Sequence, residues 1–297
     1  MNGNPFFTVQ IDYVVIAAGI LCMLPAALTI AIIRREIMQR RADKRHPFEE
    51  LKRRPAGESL RLKIESIDQK IDDKIMLLIA VPAILMGMVL APRLHGLIPC
   101  LILLAISLIW TLSFKGSLTR LLEERRTYRL GFDGERYVGE ELSRLIAHGF
   151  EIFHDVPFDG FNMDHVLVGR QGVFVVETKT RSKPVNKAGD KEYQVVFDGK
   201  CLHWPWGQER QEIQQAIDAA DTFSKWLSKA VGEQIQVFPI LTLPGWWVDP
   251  KGFSKAVYVL NPKQIIKVCG SSAQKFEDTL IKRICYQLDQ KCRVEVK

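Results

Sequence analysis

Apolar positions along this chain follow two patterns. Before residue 115 they form long unbroken runs. After residue 130 they recur at helical or strand spacing between polar residues. The first pattern comprises three uncharged stretches, residues 13–33, 75–92 and 97–114. About 20 consecutive apolar residues suffice for a helix to cross a bilayer. The first stretch meets that length, and the other two stand near the lower limit and read as a helical hairpin. Asp12 precedes the first stretch, while Arg34, Arg35, Arg40, Arg41, Lys44 and Arg45 follow it. Basic residues stay on the cytoplasmic side, so the N-terminus is expected outside. The positive charge lies behind the run, unlike a secretory signal, so the run reads as an anchor. Lys70 and Lys74 before the pair, with Lys115, Arg120, Arg125 and Arg126 after it, put both outer ends of the hairpin in the cytoplasm, whether it crosses or only dips in. The spans contain no ionisable residue, which gives no sign of a transport path.

The expected organisation is an anchor at 1–33, a polar cytoplasmic loop at 34–74, a transmembrane hairpin at 75–114, a linker helix at 115–129 and a soluble domain at 130–297. Ile64, Ile67 and Ile71 predict a helix leading into the second span. In the soluble domain, Val138, Leu142, Leu145 and Ile146 predict a helix opened by Gly134-Glu135 and stopped at His148-Gly149. There an acid in the first turn would complement the helix dipole. Strands are expected at 151–156, 166–168, 173–176, 193–197, 200–204, 237–243 and 256–260. Helices are expected at 208–230, 262–268 and 276–288. The second strand pair is read as a hairpin turning at Asp198-Gly199.

The net charge of +7 and pI near 9.1 suit nucleic acid or anionic lipid as a partner. The six cysteines include no C-x-x-C pair and read as free thiols in a reducing compartment. No glycine-rich phosphate loop is present, which argues against an ATP-driven motor.

Candidate chemistry concentrates between Asp164 and Lys179. Two short β-branched runs flank Gly169-Arg170-Gln171-Gly172 and predict a β-hairpin. With Val168 opposite Val173, Asp164 falls opposite Glu177, and Lys179 shares the face of Glu177. Facing carboxylates repel unless a cation or proton lies between them. A hard divalent ion, Mg²⁺ or Mn²⁺, suits such a pair, and a neighbouring lysine could hold a phosphate or a water. A solvated strand end is the plainer reading of the same residues. Arg181 and Lys183 stand where a phosphate backbone could pass, as substrate contacts. Trp246-Trp247 reads either as core closure or as a stacking surface for single strands.

In order, the chain also carries Gly131-x-x-Gly134-Glu135-x-x-Val138, His154-Asp155-Val156-Pro157, Met163-Asp164-His165-Val166-Leu167-Val168, Gly172-Val173-Phe174-Val175-Val176-Glu177-Thr178-Lys179 and Pro205-x-x-Gln208. Over roughly residues 130–227 this resembles the NERD (nuclease-related domain) family of the PD-(D/E)xK nuclease superfamily. The family usually has Asn before that proline, where this chain has Trp204. The resemblance implies an α/β, restriction-endonuclease-like domain behind the three transmembrane helices. It implies Asp164 and Glu177 as metal ligands, Lys179 as the catalytic lysine, Glu135 as a contact to the ion or its water, and Gln208 near substrate. The expected function is a membrane-anchored, Mg²⁺-dependent nuclease cutting DNA or RNA at the cytoplasmic face of the cell (inner) membrane. The alternative is a non-catalytic module of the same fold, tethered to the membrane and binding nucleic acid or protein.

Overall fold

A glycine inside a helix costs about 1 kcal/mol relative to alanine, which slows a helix without stopping it. That explains a difference from expectation. Instead of a span, a linker and a new helix at Gly134, one helix runs through Leu97–Leu142. Gly116, Gly131, Gly134 and Gly139 all lie inside it, and no proline follows Pro99. Glu135 is therefore near the end of a long helix and not in a first turn, so its dipole role falls away. The chain then tightens into a 3₁₀ turn, Ser143–His148, and stops at Gly149, whose φ of +80° suits glycine.

The structure is a computed structural model and describes residues 53–89, 97–183, 193–271 and 273–292, with Ile32 and Arg35 besides. The first apolar stretch lies, apart from Ile32, outside the described residues. Helix α1 spans Glu58–Val89 and contains Pro82; α2 is the Leu97–Leu142 helix. The chain divides into two compact units, with residues 67–124 in the first and residues 50–66 and 125–297 in the second. In the first unit many apolar side chains are exposed. Ile79, Met86, Ile98, Leu104 and Ile109 are all exposed. Among the described residues one helix, covering Cys100 onward, is long and apolar enough to cross a membrane, by length and composition alone.

The second unit is a mixed α/β fold. Strands β1 (Glu151–Phe158), β2 (Phe161–Gly169) and β3 (Gly172–Thr178) form an antiparallel meander. Val168 pairs with Val173, and pairing continues to Gly169 and Gly172, so only Arg170 and Gln171 form the turn. Strand β7 (Val237–Thr242) lies parallel to β3, and β9 (Tyr258–Leu260) parallel to β7, giving the order β1-β2-β3-β7-β9. Every residue of β3 is buried, as expected for a central strand covered on both faces. Helix α3 (Gln211–Val231) presents Ala219, Ala220, Phe223 and Leu227 to Val166, Val168, Val173 and Val175, with α5 (Asp278–Cys292) beside it. On the opposite face the end of α2, the 3₁₀ turn and α4 (Pro262–Gly270) cover Leu167, Phe174 and Val176.

A second sheet, in the order β6-β5-β4-β8, joins β4 (Gln194–Phe197), β5 (Leu202–Trp204), β6 (Gly207–Glu209) and β8 (Trp247–Pro250). Two of its parts differ from expectation. Phe197 pairs with Leu202, so the turn spans four residues, capped by the Asp198 side chain on the Lys200 and Cys201 amides. Residues 207–209 form a strand, because they find an open edge on β5, and the helix starts only at Gln211.

Residues 53–66 form part of this unit, although the polar segment 34–74 reads in sequence as a solvated topology signal. Small residues allow the approach. A Cβ at Gly139 would meet the Ala56 Cβ at 2.9 Å, and one at Gly57 would meet the Phe132 ring at 2.8 Å. Arg53 reaches Glu151 and Asp289, at 3.0 and 2.8 Å. The Asp155 carboxylate, almost fully buried, accepts hydrogen bonds from Arg54 Nη1 (3.1 Å), the Ser59 amide (3.0 Å), Ser59 Oγ (2.6 Å) and Asn162 Nδ2 (3.1 Å). Its backbone has φ +48°, a conformation that costs L-residues about 1–2 kcal/mol. These bonds hold it there. Ser59→Ala removes one donor from a buried carboxylate and is expected to destabilise the protein by about 1–3 kcal/mol, read as a lower thermal midpoint.

Candidate active site

Side chains alternate across a strand, so Val173, Val175, Glu177 and then Lys179 face α3, as do Asp164, Val166 and Val168 on β2. The hydrophobic members of this face form the core against α3. Its polar members emerge where that core ends. Asp164 Oδ2 accepts a hydrogen bond from the Thr178 amide, at 2.7 Å, tying the ends of β2 and β3 together. Lys179 Nζ lies 3.5 Å from Glu177 Oε1. Gln215, on α3, links the two: its Nε2 donates to Glu177 Oε1 at 3.1 Å, and its Oε1 accepts from Lys179 Nζ at 3.1 Å.

Glu135 approaches from the other side, on α2. A Cβ on Gly134 would stand 1.8 Å from Thr180 Oγ1, so only glycine lets α2 come this close to the chain leaving β3. The Gly134-Glu135 pair is thus a packing device followed by the group that it delivers. Glu135 is buried, and its Oε2 has no hydrogen-bond partner.

Burial raises the pKa of all three acids, and neighbouring acids add to it for Glu135 and Asp164. Desolvation pushes the Glu135 carboxyl up to about 8, helped by Asp155 and Glu177 and opposed by Lys179. Asp164 is raised well above the carboxylate range by desolvation and by the charges of Glu177 and Glu135, against the Thr178 amide and Lys179. Glu177 is raised by desolvation, against Lys179. Among the described residues no three Asp, Glu, His or Cys side chains already enclose a metal position. The donor set still fits a hard cation. It is all oxygen, it repels itself when ionised, and one buried carboxylate oxygen lacks a partner. Mg²⁺ commonly takes one or two carboxylates and keeps several waters, so a closed cage is not required.

Two expected substrate contacts sit elsewhere. Gln208 lies exposed in β6, opposite His203, and the amide that reaches the carboxylates is Gln215. Its sequence signal is the spacing from Gln211, one helical turn away on the polar edge of the face that buries Ala216 and Ala219. Arg181 is held by Glu212 and Glu209, so its guanidinium answers two acids of its own chain. His154 and His165, left without a role in the sequence reading, meet across β1 and β2 with their Nδ1 atoms 2.8 Å apart. Desolvation lowers His154 to about 4 and His165 well below its ordinary value, leaving a neutral pair.

A carboxyl whose pKa is raised by folding binds more protons in the folded state than in the unfolded one. Its stabilising effect is complete at low pH and is lost as pH rises through the folded pKa, about 8 for Glu135. The metal-free protein is therefore expected to lose thermal stability as pH rises from the ordinary carboxylate range to about 8. Asp164→Asn should raise its midpoint on the alkaline side by roughly 2–4 °C for each kcal/mol of repulsion removed. Added Mg²⁺ should raise the wild-type midpoint more at about pH 8.5 than at about pH 6, since ligands must be deprotonated, and should fail to do so in Asp164→Asn. Differential scanning fluorimetry across pH checks all three outcomes.

Searches of curated proteins and of solved structures found no match to the chain. A family comparison did: residues 130–244 match the model for NERD, the nuclease-related domain. The matched segment begins five residues before Glu135 and contains Asp164, Glu177, Lys179 and Gln215, an arrangement consistent with the PD-(D/E)xK superfamily. By this match, residues 130–244 are similar to the nuclease-related domain family.

Proposed function

We propose that the chain is a membrane-anchored, metal-dependent nuclease that hydrolyses phosphodiester bonds of DNA or RNA at the cytoplasmic face of the membrane. One observation carries the reading. Within the segment that matches the nuclease-related domain, Asp164 and Glu177 lie near the end of β3 with Lys179 and interact electrostatically with Glu135, and burial is the first cause that raises the pKa of each acid.

Asp164 and Glu177 would hold Mg²⁺ or Mn²⁺. Such an ion, when bound, polarises a phosphoryl oxygen and lowers the pKa of a coordinated water. The chain's own groups have separate tasks. Lys179, about a quarter exposed, is the cation available to hold the scissile phosphate and offset the charge that grows on it during attack. Gln215 fixes both Lys179 and Glu177 and so sets the distance between acid and ammonium. Glu135, whose buried Oε2 has no hydrogen-bond partner, would contact the ion or its water. The exposed apolar side chains of the first unit support the anchoring part of the proposal. The basic residues around their apolar runs support the cytoplasmic placement.

The test uses the full chain in detergent, because a fragment starting near residue 130 would remove Arg54 and Ser59 from Asp155. Labelled DNA and RNA should be cut with Mg²⁺ and left intact with EDTA. Lys179→Ala should lower the rate by roughly 100-fold or more, the loss typical of a group that stabilises transition-state charge, in a protein that still unfolds cooperatively. Gly134→Ala should lower it too, by pushing Glu135 away from the strand end. Undiminished cutting by Glu177→Ala would show that the chemistry lies elsewhere.

A further inference from the structure

Strands β3, β7 and β9 end level with one another, Thr178 beside Thr242 and Thr242 beside Leu260. Loops leaving the carboxyl ends of parallel strands commonly build ligand sites. Here Lys179 leaves β3, and residues 243–247 leave β7. Beside those loops lies a groove of about 420 Å³ lined by Tyr137, Tyr193, Trp246, Trp247, Asn261 and Lys263, among others.

The aromatic residues of this region divide into two sets. Trp204, Trp206 and Trp246 pack on one another, with ring centroids 4.9–5.5 Å apart, and Trp246 is buried. Trp247, Tyr193 and Tyr137 are 62%, 48% and 38% exposed. Among the described residues, none of these three packs against another ring. The floor of the groove is therefore fixed and its walls are unpartnered π-faces. The Trp246 indole donates to the Arg181 carbonyl, at 3.1 Å, so the floor is tied to the chain two residues beyond Lys179.

Charge narrows the choice of occupant. Among the described residues that line the groove there is no carboxylate. Lys263 stands on its wall, and Lys183 Nζ lies 5.9 Å from the Tyr193 ring. A second cavity, of about 370 Å³, opens on the α3 side of Glu177 and is lined by Glu177, Gln215 and Asp218, so it belongs to the candidate active site already described. The aromatic groove can accept a phosphate backbone. A cavity of this size takes bases and not a double helix, and bases show their faces to a protein only when unpaired.

We propose that this groove binds an unpaired nucleic-acid strand, stacking bases on Trp247 and Tyr193 while Lys183 and Lys263 meet the backbone. The inference rests on the nuclease reading and deepens it, since the Trp246 floor of the groove is tied to the chain two residues beyond Lys179.

The test is fluorescence anisotropy with the full chain in detergent and EDTA, so that binding is read without turnover. The probes are a labelled single-stranded oligonucleotide and a duplex of equal length. The single strand should bind at least about tenfold more tightly than the duplex. Trp247→Ala and Tyr193→Ala should each weaken single-strand binding by about tenfold, and Trp247→Phe should restore most of the loss. Lys263→Gln should reduce the salt dependence by about one ion. Equal affinity for both probes, or indifference to both aromatic substitutions, overturns the proposal. The two readings fail separately. Trp247-dependent binding without cleavage under Mg²⁺ supports the groove and removes the nuclease. Cleavage at the Lys179 site with no effect of Trp247 or Tyr193 removes the groove and leaves the nuclease.

Discussion

The second unit is arranged around an electrostatic conflict. Three carboxylates are gathered where a buried sheet meets solvent, with one ammonium group beside them. Burial disfavours the charged form of each acid, and one lysine offsets that only in part, so the pKa values are raised. Such an arrangement lowers the stability of the metal-free protein. It is intelligible as the cost of a site that becomes complete only with a hard cation and a phosphate.

The surrounding structure serves to hold these acids in place. Gly134 brings α2 against Thr180 and so delivers Glu135. Gln215 on α3 holds Glu177 and Lys179 from the opposite side. Asp155 lies between the pairs His154–His165 and Val156–Met163, across from Asp164, and four hydrogen bonds hold its carboxylate. Three of the four donors come from residues 54 and 59, far away in sequence. The site therefore depends on chain that precedes the nuclease-related segment.

Much of this was legible from residue order, and what was hidden shares a cause. The hairpin register followed from β-branched runs and two glycines, because a period of two fixes which side chains share a face. The amphipathic face of α3 was equally plain. The unbroken α2 was not, because Gly131 and Gly134 mimic punctuation while serving close packing. Strand β6 was hidden because three polar residues carry no apolar pattern and form a strand only by meeting the edge of β5. That displaced Gln208 from the site and concealed Gln215. The contacts of Asp155 with Arg54 and Ser59, and those of Arg181 with Glu209 and Glu212, join residues 28 to 101 apart, which local pattern does not encode. Adjacent Trp246 and Trp247 illustrate the limit: the sequence left core closure and a stacking surface as alternatives, and the fold assigns burial to one and exposure to the other.

The central claim is that Asp164 and Glu177 hold a divalent ion. Anomalous diffraction from crystals of the full chain grown with Mn²⁺ tests it most directly. The account predicts one strong peak about 2.0–2.3 Å from an oxygen of each carboxylate, within reach of Glu135 directly or through a water. A peak elsewhere, or none at this strand end at saturating Mn²⁺, would contradict it.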